Sequence, residues 1–461
     1  MARAHLRLHE HAGALLLGLT LVVAPGCTTL QPAPSPNPSP GPQLSPLSAD
    51  DVSWLFPPPK TAADLANLIA VKDLTVPDPA NPTNRVPIWT DADFNNFLAV
   101  VDSAAAQVEG GSRIGLPAGA RSKDAWFVAG VRIDAGAPGL DPAVMGAFGQ
   151  RPQIRLILQP VLPDQAGNLQ VVDTAAHLIF DFATPSPTSA CPIHMTPDLA
   201  ALKGIVSDVA TLRTALAAGQ FGNTKISTAS LPLGVHPGLA NAATAPMLVA
   251  EMKAMLQKRL APQRLNSMAV MGLPPGKGAP WIFLSMSRSP PVTGQFVPVP
   301  GPALDGTQFA MMLTPLAQTP RVAPAPHSNN LASITCANGA FGPAALPVAS
   351  RHGSSTAEIL TPGAPDLAKT KAITDLVADP KRSHFFNTDC ISCHTETRRA
   401  MEVLSLTSSP GLSADVMPNG PYDVRNFGWS IDGSLRASAT RRTAAETAAV
   451  VAWLNANMLK P

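Results

Sequence analysis

The pattern of apolar and polar residues changes character several times along the chain. Phe94, Phe97, Leu98 and Val101 follow helical spacing behind Thr90-Asp91-Ala92-Asp93, where a threonine cap precedes acids in the first turn. From Asp124 the period drops to two. Apolar residues alternate from Ala125 to Ile133 around Phe127 and Val131, and from Gln153 to Val161 through Ile154, Leu156 and Leu158. Pro163 to Asn168 carries turn residues, and Leu169 to Phe182 reads as the return strand of a hairpin. Thr196-Pro197 predicts an N-cap and first-turn proline for a helix through about Ala217. A further helix is expected from Met247 to Leu260, with short apolar runs at Trp281 to Met286 and Phe309 to Leu313.

Helical periodicity returns after residue 365. Leu367, Ile373, Leu376 and Val377 share one face of a helix ending before Pro380, and Ala448, Val451, Ala452 and Leu454 mark another near the C-terminus. These patterns divide the chain into an α+β body over 50–320, a connector over 321–364, and an all-α segment over 365–461. The connector is rich in Pro, Ala, Gly and Ser and has no clear period.

The first 26 residues read as an export signal. Arg3 and Arg7 precede an apolar run from Ala12 to Ala24 that is too short to span a bilayer comfortably. It leads into Pro25-Gly26-Cys27-Thr28, which resembles a bacterial lipoprotein processing site. That resemblance implies a lipidated Cys27 as the mature N-terminus, anchored in the cell envelope facing the periplasm, with the outer membrane favoured by Thr28. The plain alternative is a secretory signal with a coincidental cysteine. Residues 27–49 continue as a proline-rich spacer that favours extended polyproline II. Fifty prolines among 461 residues fit many loops and short strands. A formal net charge of +2 without basic blocks gives no reason to expect a nucleic-acid partner.

Cys390-Ile391-Ser392-Cys393-His394 is the strongest chemical signal. Two cysteines three residues apart can form thioethers with the two vinyl groups of a haem, and the adjacent histidine then reaches the iron. A thioredoxin-like dithiol would call for a strand before the motif, where a helix is expected. Half of a zinc site would need two further ligands, and there is no second cysteine pair.

With Phe385 and Phe386 ahead of the motif and the Ala452-Trp453-Leu454 helix behind it, residues 365–461 resemble a class I c-type cytochrome domain. The resemblance implies one covalent haem c, with thioethers at Cys390 and Cys393 and His394 as proximal iron ligand. It also implies a distal methionine, for which Met417 in Asp415-Val416-Met417-Pro418-Asn419-Gly420 is the candidate. Met401, His384, His352 or an open position are the alternatives. The function expected is electron transfer with redox partner proteins. The competing class is a haem-dependent enzyme, or a haem sensor, with an open sixth position.

The remaining features carry less. Cys191 and Cys336 pair in a disulfide or stay as two thiols. His177, His194 and His236 have no metal-ligand spacing. Arg132, Asp134, Asp173 and Asp181 read as solvated sheet residues. Arg398-Arg399 and Arg441-Arg442 read as solvated arginines, with an acidic docking partner or haem propionates as the functional alternative.

Overall fold

The two long alternating segments form longer strands than their periodicity predicts. In a computed structural model they are β2 (Trp126–Ala137) and β3 (Arg151–Pro163), preceded by a short β1 (Ser53–Leu55). The turn after β3 forms as expected: the Asp164 carboxylate accepts from the backbone N–H of Ala166 at 2.8 Å and of Asn168 at 2.7 Å. The return strand breaks in two, β4 (Leu169–Val171) and β5 (Thr174–Asp181). β6 (Leu265–Gly272), β7 (Pro280–Ser289), β8 (Gln295–Pro298) and β9 (Thr307–Met311) complete a nine-stranded antiparallel sheet. Its order is β1-β2-β3-β5-β6-β7-β8, with β4 on β3 and β9 on β7.

The structure describes residues 45–106, 116–164, 166–186, 194–272, 280–289, 295–298, 307–311, 366–384, 388, 390–420 and 423–459. The signal segment, Cys27, the spacer up to residue 44, Cys191, Cys336, His352, Phe385, Phe386 and the 321–364 connector lie outside them. Among the described residues no helix is long and apolar enough to cross a membrane.

Register gives the sheet two unlike faces. Val131, Leu156, Leu178, Met268 and Met286 stand opposite one another on the first, and Arg132, Arg155, Ile179, Ser267 and Ser287 on the second. The first face is apolar and buried, and adds Ile154, Leu158, Phe180, Val270 and Leu284. Each such side chain is worth roughly 1.5–3 kcal/mol when fully buried. Helix α1 (Asp91–Ala106) covers one end, where Phe97 meets Trp126 edge-on with ring centroids 5.7 Å apart. Thr90 caps it as expected, its hydroxyl accepting from the Asp93 N–H at 3.1 Å. Helices α2 (Leu199–Ala218) and α3 (Ala245–Arg259) contribute Leu202, Ile205, Val209, Leu248 and Met252 to the same core. The cap of α2 differs from expectation. Met195–Pro197 is a short strand, and Asp198 caps instead, accepting from the Ala201 N–H at 2.9 Å.

The C-terminal segment lies on the second face. It holds α4 (Leu367–Ala378), α5 (Cys390–Leu404), the antiparallel pair β10 (Phe427–Ser430) and β11 (Arg436–Ala439), and α6 (Arg441–Asn457). The α+β body is present, but the expected all-α cytochrome c-like domain is not what the chain builds. The reason is local to residues 427–439. Gly428 has φ of 140°, outside helical space, and the Trp429 backbone is taken up by a side chain of β3. Gln159 donates to the Trp429 carbonyl at 2.9 Å and accepts from its N–H at 2.6 Å, while the Trp429 indole N–H donates to the Phe56 carbonyl at 2.9 Å.

That docking also corrects the reading of the polar sheet residues as solvated. Arg132 pairs with Glu446 of α6 at 2.9 Å, Arg155 with Asp134 at 2.7 Å, and Asp173 with Arg425. Asp181 is buried and accepts from the Gln153 amide at 2.7 Å. Gly130 is required by the close approach: a Cβ there would lie 2.6 Å from Cε1 of Phe427.

Candidate functional site

Helix α5 begins at Cys390, so the motif occupies its first turn and a little beyond. Positions i, i+3 and i+4 of a helix share one side, which puts Cys390, Cys393 and His394 together. All three are half-buried, whereas Ile391 and Ser392 between them are buried. The Thr395 hydroxyl tightens the turn by donating to the Ile391 carbonyl at 2.7 Å.

His394 leaves this turn toward the second face of the sheet. Its Nδ1 lies 2.9 Å from the Val424 carbonyl, a contact that requires Nδ1 to carry the proton and donate. The ring packs on Phe283 of β7, with centroids 4.9 Å apart and planes at 54°. Burial pushes the imidazole down to about 4; the Val424 hydrogen bond opposes this and the Arg425 charge adds to it. At neutral pH the ring is therefore uncharged, protonated at Nδ1, with the lone pair on Nε2. A carbonyl that fixes tautomer and ring orientation in this way is the usual support of a metal-binding histidine. The donor set fits a covalently attached haem: two thiols on one side of a helical turn, and a neutral, oriented imidazole beside them.

The other expected residues are spread over the structure. Met417 is buried after a short 3-10 turn, and its carbonyl accepts from Arg436 Nη2 at 2.5 Å. Met401 packs half-buried against the core. His384 is buried, edge-on to Phe148 at 5.5 Å. His236 caps a short turn, its Nδ1 accepting from the Gly238 N–H at 3.1 Å. His177 stands on the second face, its pKa held well below the ordinary value chiefly by burial, with the charge of Arg425 adding to it. Among the described residues no three or more His, Cys, Asp or Glu side chains are grouped to hold a metal ion.

The arginine pairs are not solvated. Arg442 is buried and donates to the Val377 carbonyl at 3.0 Å and to Glu446 at 2.8 Å, stitching the end of α4 to α6. Arg441 reaches Asp375 at 2.8 Å and Glu396 at 3.5 Å. Arg398 donates to the Gly420 carbonyl at 2.9 Å. Burial alone would raise the Glu446 carboxyl, but Arg442, Arg132 and Arg155 outweigh it and hold it well below the usual carboxylate range.

Sequence reasoning found the motif but missed what supports it. Val424 acts through its backbone, which leaves no signature in residue type. Phe283 was visible only as part of an apolar run, and Arg425 stands in no recognisable motif. Comparison of the chain with protein-family models, with curated proteins and with solved structures returned no match.

Proposed function

We propose that the protein is a periplasm-facing electron carrier with one covalently bound haem c, tethered to the bacterial outer membrane through lipidated Cys27. The observation that carries this reading is the state of His394: neutral, oriented by the Val424 carbonyl, and one residue beyond the second of two cysteines on the same helical turn. When bound, the haem iron supplies a one-electron couple between ferric and ferrous states. Cys390 and Cys393 would fix the porphyrin by thioethers, and His394 Nε2 would bind the iron. Phe283 holds the imidazole plane and excludes water from one side of it. Met417, a buried thioether, would be the second side chain to hold the iron. A thioether there raises the reduction potential and closes the iron to small ligands, as a carrier requires. Redox partner proteins are the proposed reaction partners.

The test is export in a host competent for haem maturation. Haem should stay with the polypeptide after acid-acetone extraction, and Cys390→Ser with Cys393→Ser should release it. Met417→Ala should lower the reduction potential and open the iron to cyanide, whereas Met401→Ala should do neither. Fully extractable haem, or a zinc-bound dithiol, would overturn the proposal. High-spin wild-type haem that binds ligands readily would replace the carrier with an enzyme or sensor.

A further inference from the structure

Arg425 directly follows the residue whose carbonyl orients His394, and it is 1% exposed. Its Nη2 pairs with Asp173, which stands between β4 and β5 on the sheet side. Its other two nitrogens, Nε and Nη1, are buried and have no hydrogen-bond partner among the described residues. A guanidinium cannot shed its proton to relieve this, so a buried one needs acceptors for all of its nitrogens. Nearby arginines have their carboxylates, Arg132 with Glu446 and Arg155 with Asp134, but the donors of Arg425 exceed what Asp173 alone can accept. These open donors call for oxygen acceptors, and a carboxylate answers both their geometry and their charge.

We propose that Arg425, held in place by Asp173, is the binding site for a propionate carboxylate of the haem attached at Cys390 and Cys393. The inference rests on the haem reading of the motif and adds the group that fixes the edge of the ring. The porphyrin would then be held at two places, by thioethers from α5 and by Arg425 from the loop before β10. Because Asp173 orients Arg425, the sheet-bearing body would contribute to haem placement without touching the iron.

The contact can be read directly from the haem-loaded full chain. Haem labelled biosynthetically with carbon-13 at its propionate carboxylates gives an infrared carboxylate band that reports hydrogen bonding. Arg425→Lys, which keeps charge and stem, should shift that band relative to wild type. Arg398→Lys, at an arginine committed to Gly420 and Glu402, should leave it in place. Arg425→Gln should shift the band further and lower the reduction potential, since a cation beside the iron is lost. Should the glutamine variant fail to fold, the lysine variant decides alone. An unshifted band in Arg425→Lys overturns the site while leaving the haem reading intact. Wild type that retains no labelled haem overturns both.

Discussion

Substituting Gly130 by alanine tests whether the C-terminal segment is seated on the sheet as described. A Cβ on Gly130 would stand 2.6 Å from Cε1 and 2.8 Å from Cδ1 of Phe427, and 3.4 Å from the Trp54 carbonyl oxygen. Carbon atoms in contact need about 3.5–4.0 Å, so roughly 1 Å must be found. Phe427 cannot easily give way, being 1% exposed, with the Arg132 guanidinium 5.9 Å from its ring centre and Trp429 locked two residues on. Overpacking of this kind costs about 1–3 kcal/mol. Alanine returns roughly 0.5–1 kcal/mol through the stiffer unfolded chain. The expected net loss is thus about 0–2.5 kcal/mol, centred near 1, read as a lower urea midpoint at unchanged slope. Phe427→Leu in the Gly130→Ala background should recover part of it, because the shorter side chain frees the space. A raised midpoint for Gly130→Ala, or no recovery on adding Phe427→Leu, would refute the seating of Phe427 on β2.

Two further outcomes follow from charges inside this architecture. His236 is 4% exposed and its pKa is pushed down to about 4 by burial, against 6.5 for the free group. Its folded pKa lies below its unfolded one, so the stability it permits is full above pH 6.5 and is lost as pH falls toward 4. The loss reaches about 3 kcal/mol. His236→Asn, which can still accept from Gly238, should flatten urea stability over that window; an unaltered slope would show that His236 protonates freely in the fold. Glu446→Gln should cost about 3 kcal/mol, toward the low end of the range for breaking a buried pair because a quarter of the side chain stays exposed. Urea unfolding at neutral pH measures it, and a loss below about 1 kcal/mol would mean that water already compensates Arg132 and Arg442.

What could be read from the sequence was set by how local the cause was. The alternation through Ile154, Leu156 and Leu158 needs only one buried face to be legible, and the strand formed there. The Thr90 cap and the helix ending before Pro380 are equally local. The β10–β11 pair was not legible, since Phe-Gly-Trp-Ser is four residues long and owes its extended form to Gln159, far away in sequence. The same distance hid the true role of Arg132 and Asp173. A charged residue alternating with apolar ones on a strand reads as solvent-facing, and only the folded chain brings Glu446 and Arg425 onto that face. At the motif, the cysteine and histidine spacing was visible, whereas the Val424 carbonyl that orients His394 could come from any residue.

The polarity of the second face bears on the site itself. Buried ion pairs add little net stability, because desolvation offsets most of their attraction, so an apolar interface would have served at least as well for holding α6 and β10 against the sheet. What paired charges add is a single seating. If the C-terminal segment slid by one residue, Arg132, Asp173 and Gln159 would each lose a partner while remaining covered, at a cost of several kcal/mol. An apolar face would tolerate the same slip far better. That difference matters for His394, whose ring is fixed from two sides that are distant in sequence: Val424 on the sliding segment and Phe283 on the sheet. A slip would carry His394 and Val424 together past Phe283 and take the ring off its support on the sheet. On this argument, replacing Arg132 by Met together with Glu446 by Leu should restore only the part of the Glu446→Gln loss that Arg132 causes, because buried Arg442 still loses its carboxylate and keeps only the Val377 and Asp379 carbonyls. The orientation of the histidine would then rest on Arg425, Asp173 and Gln159.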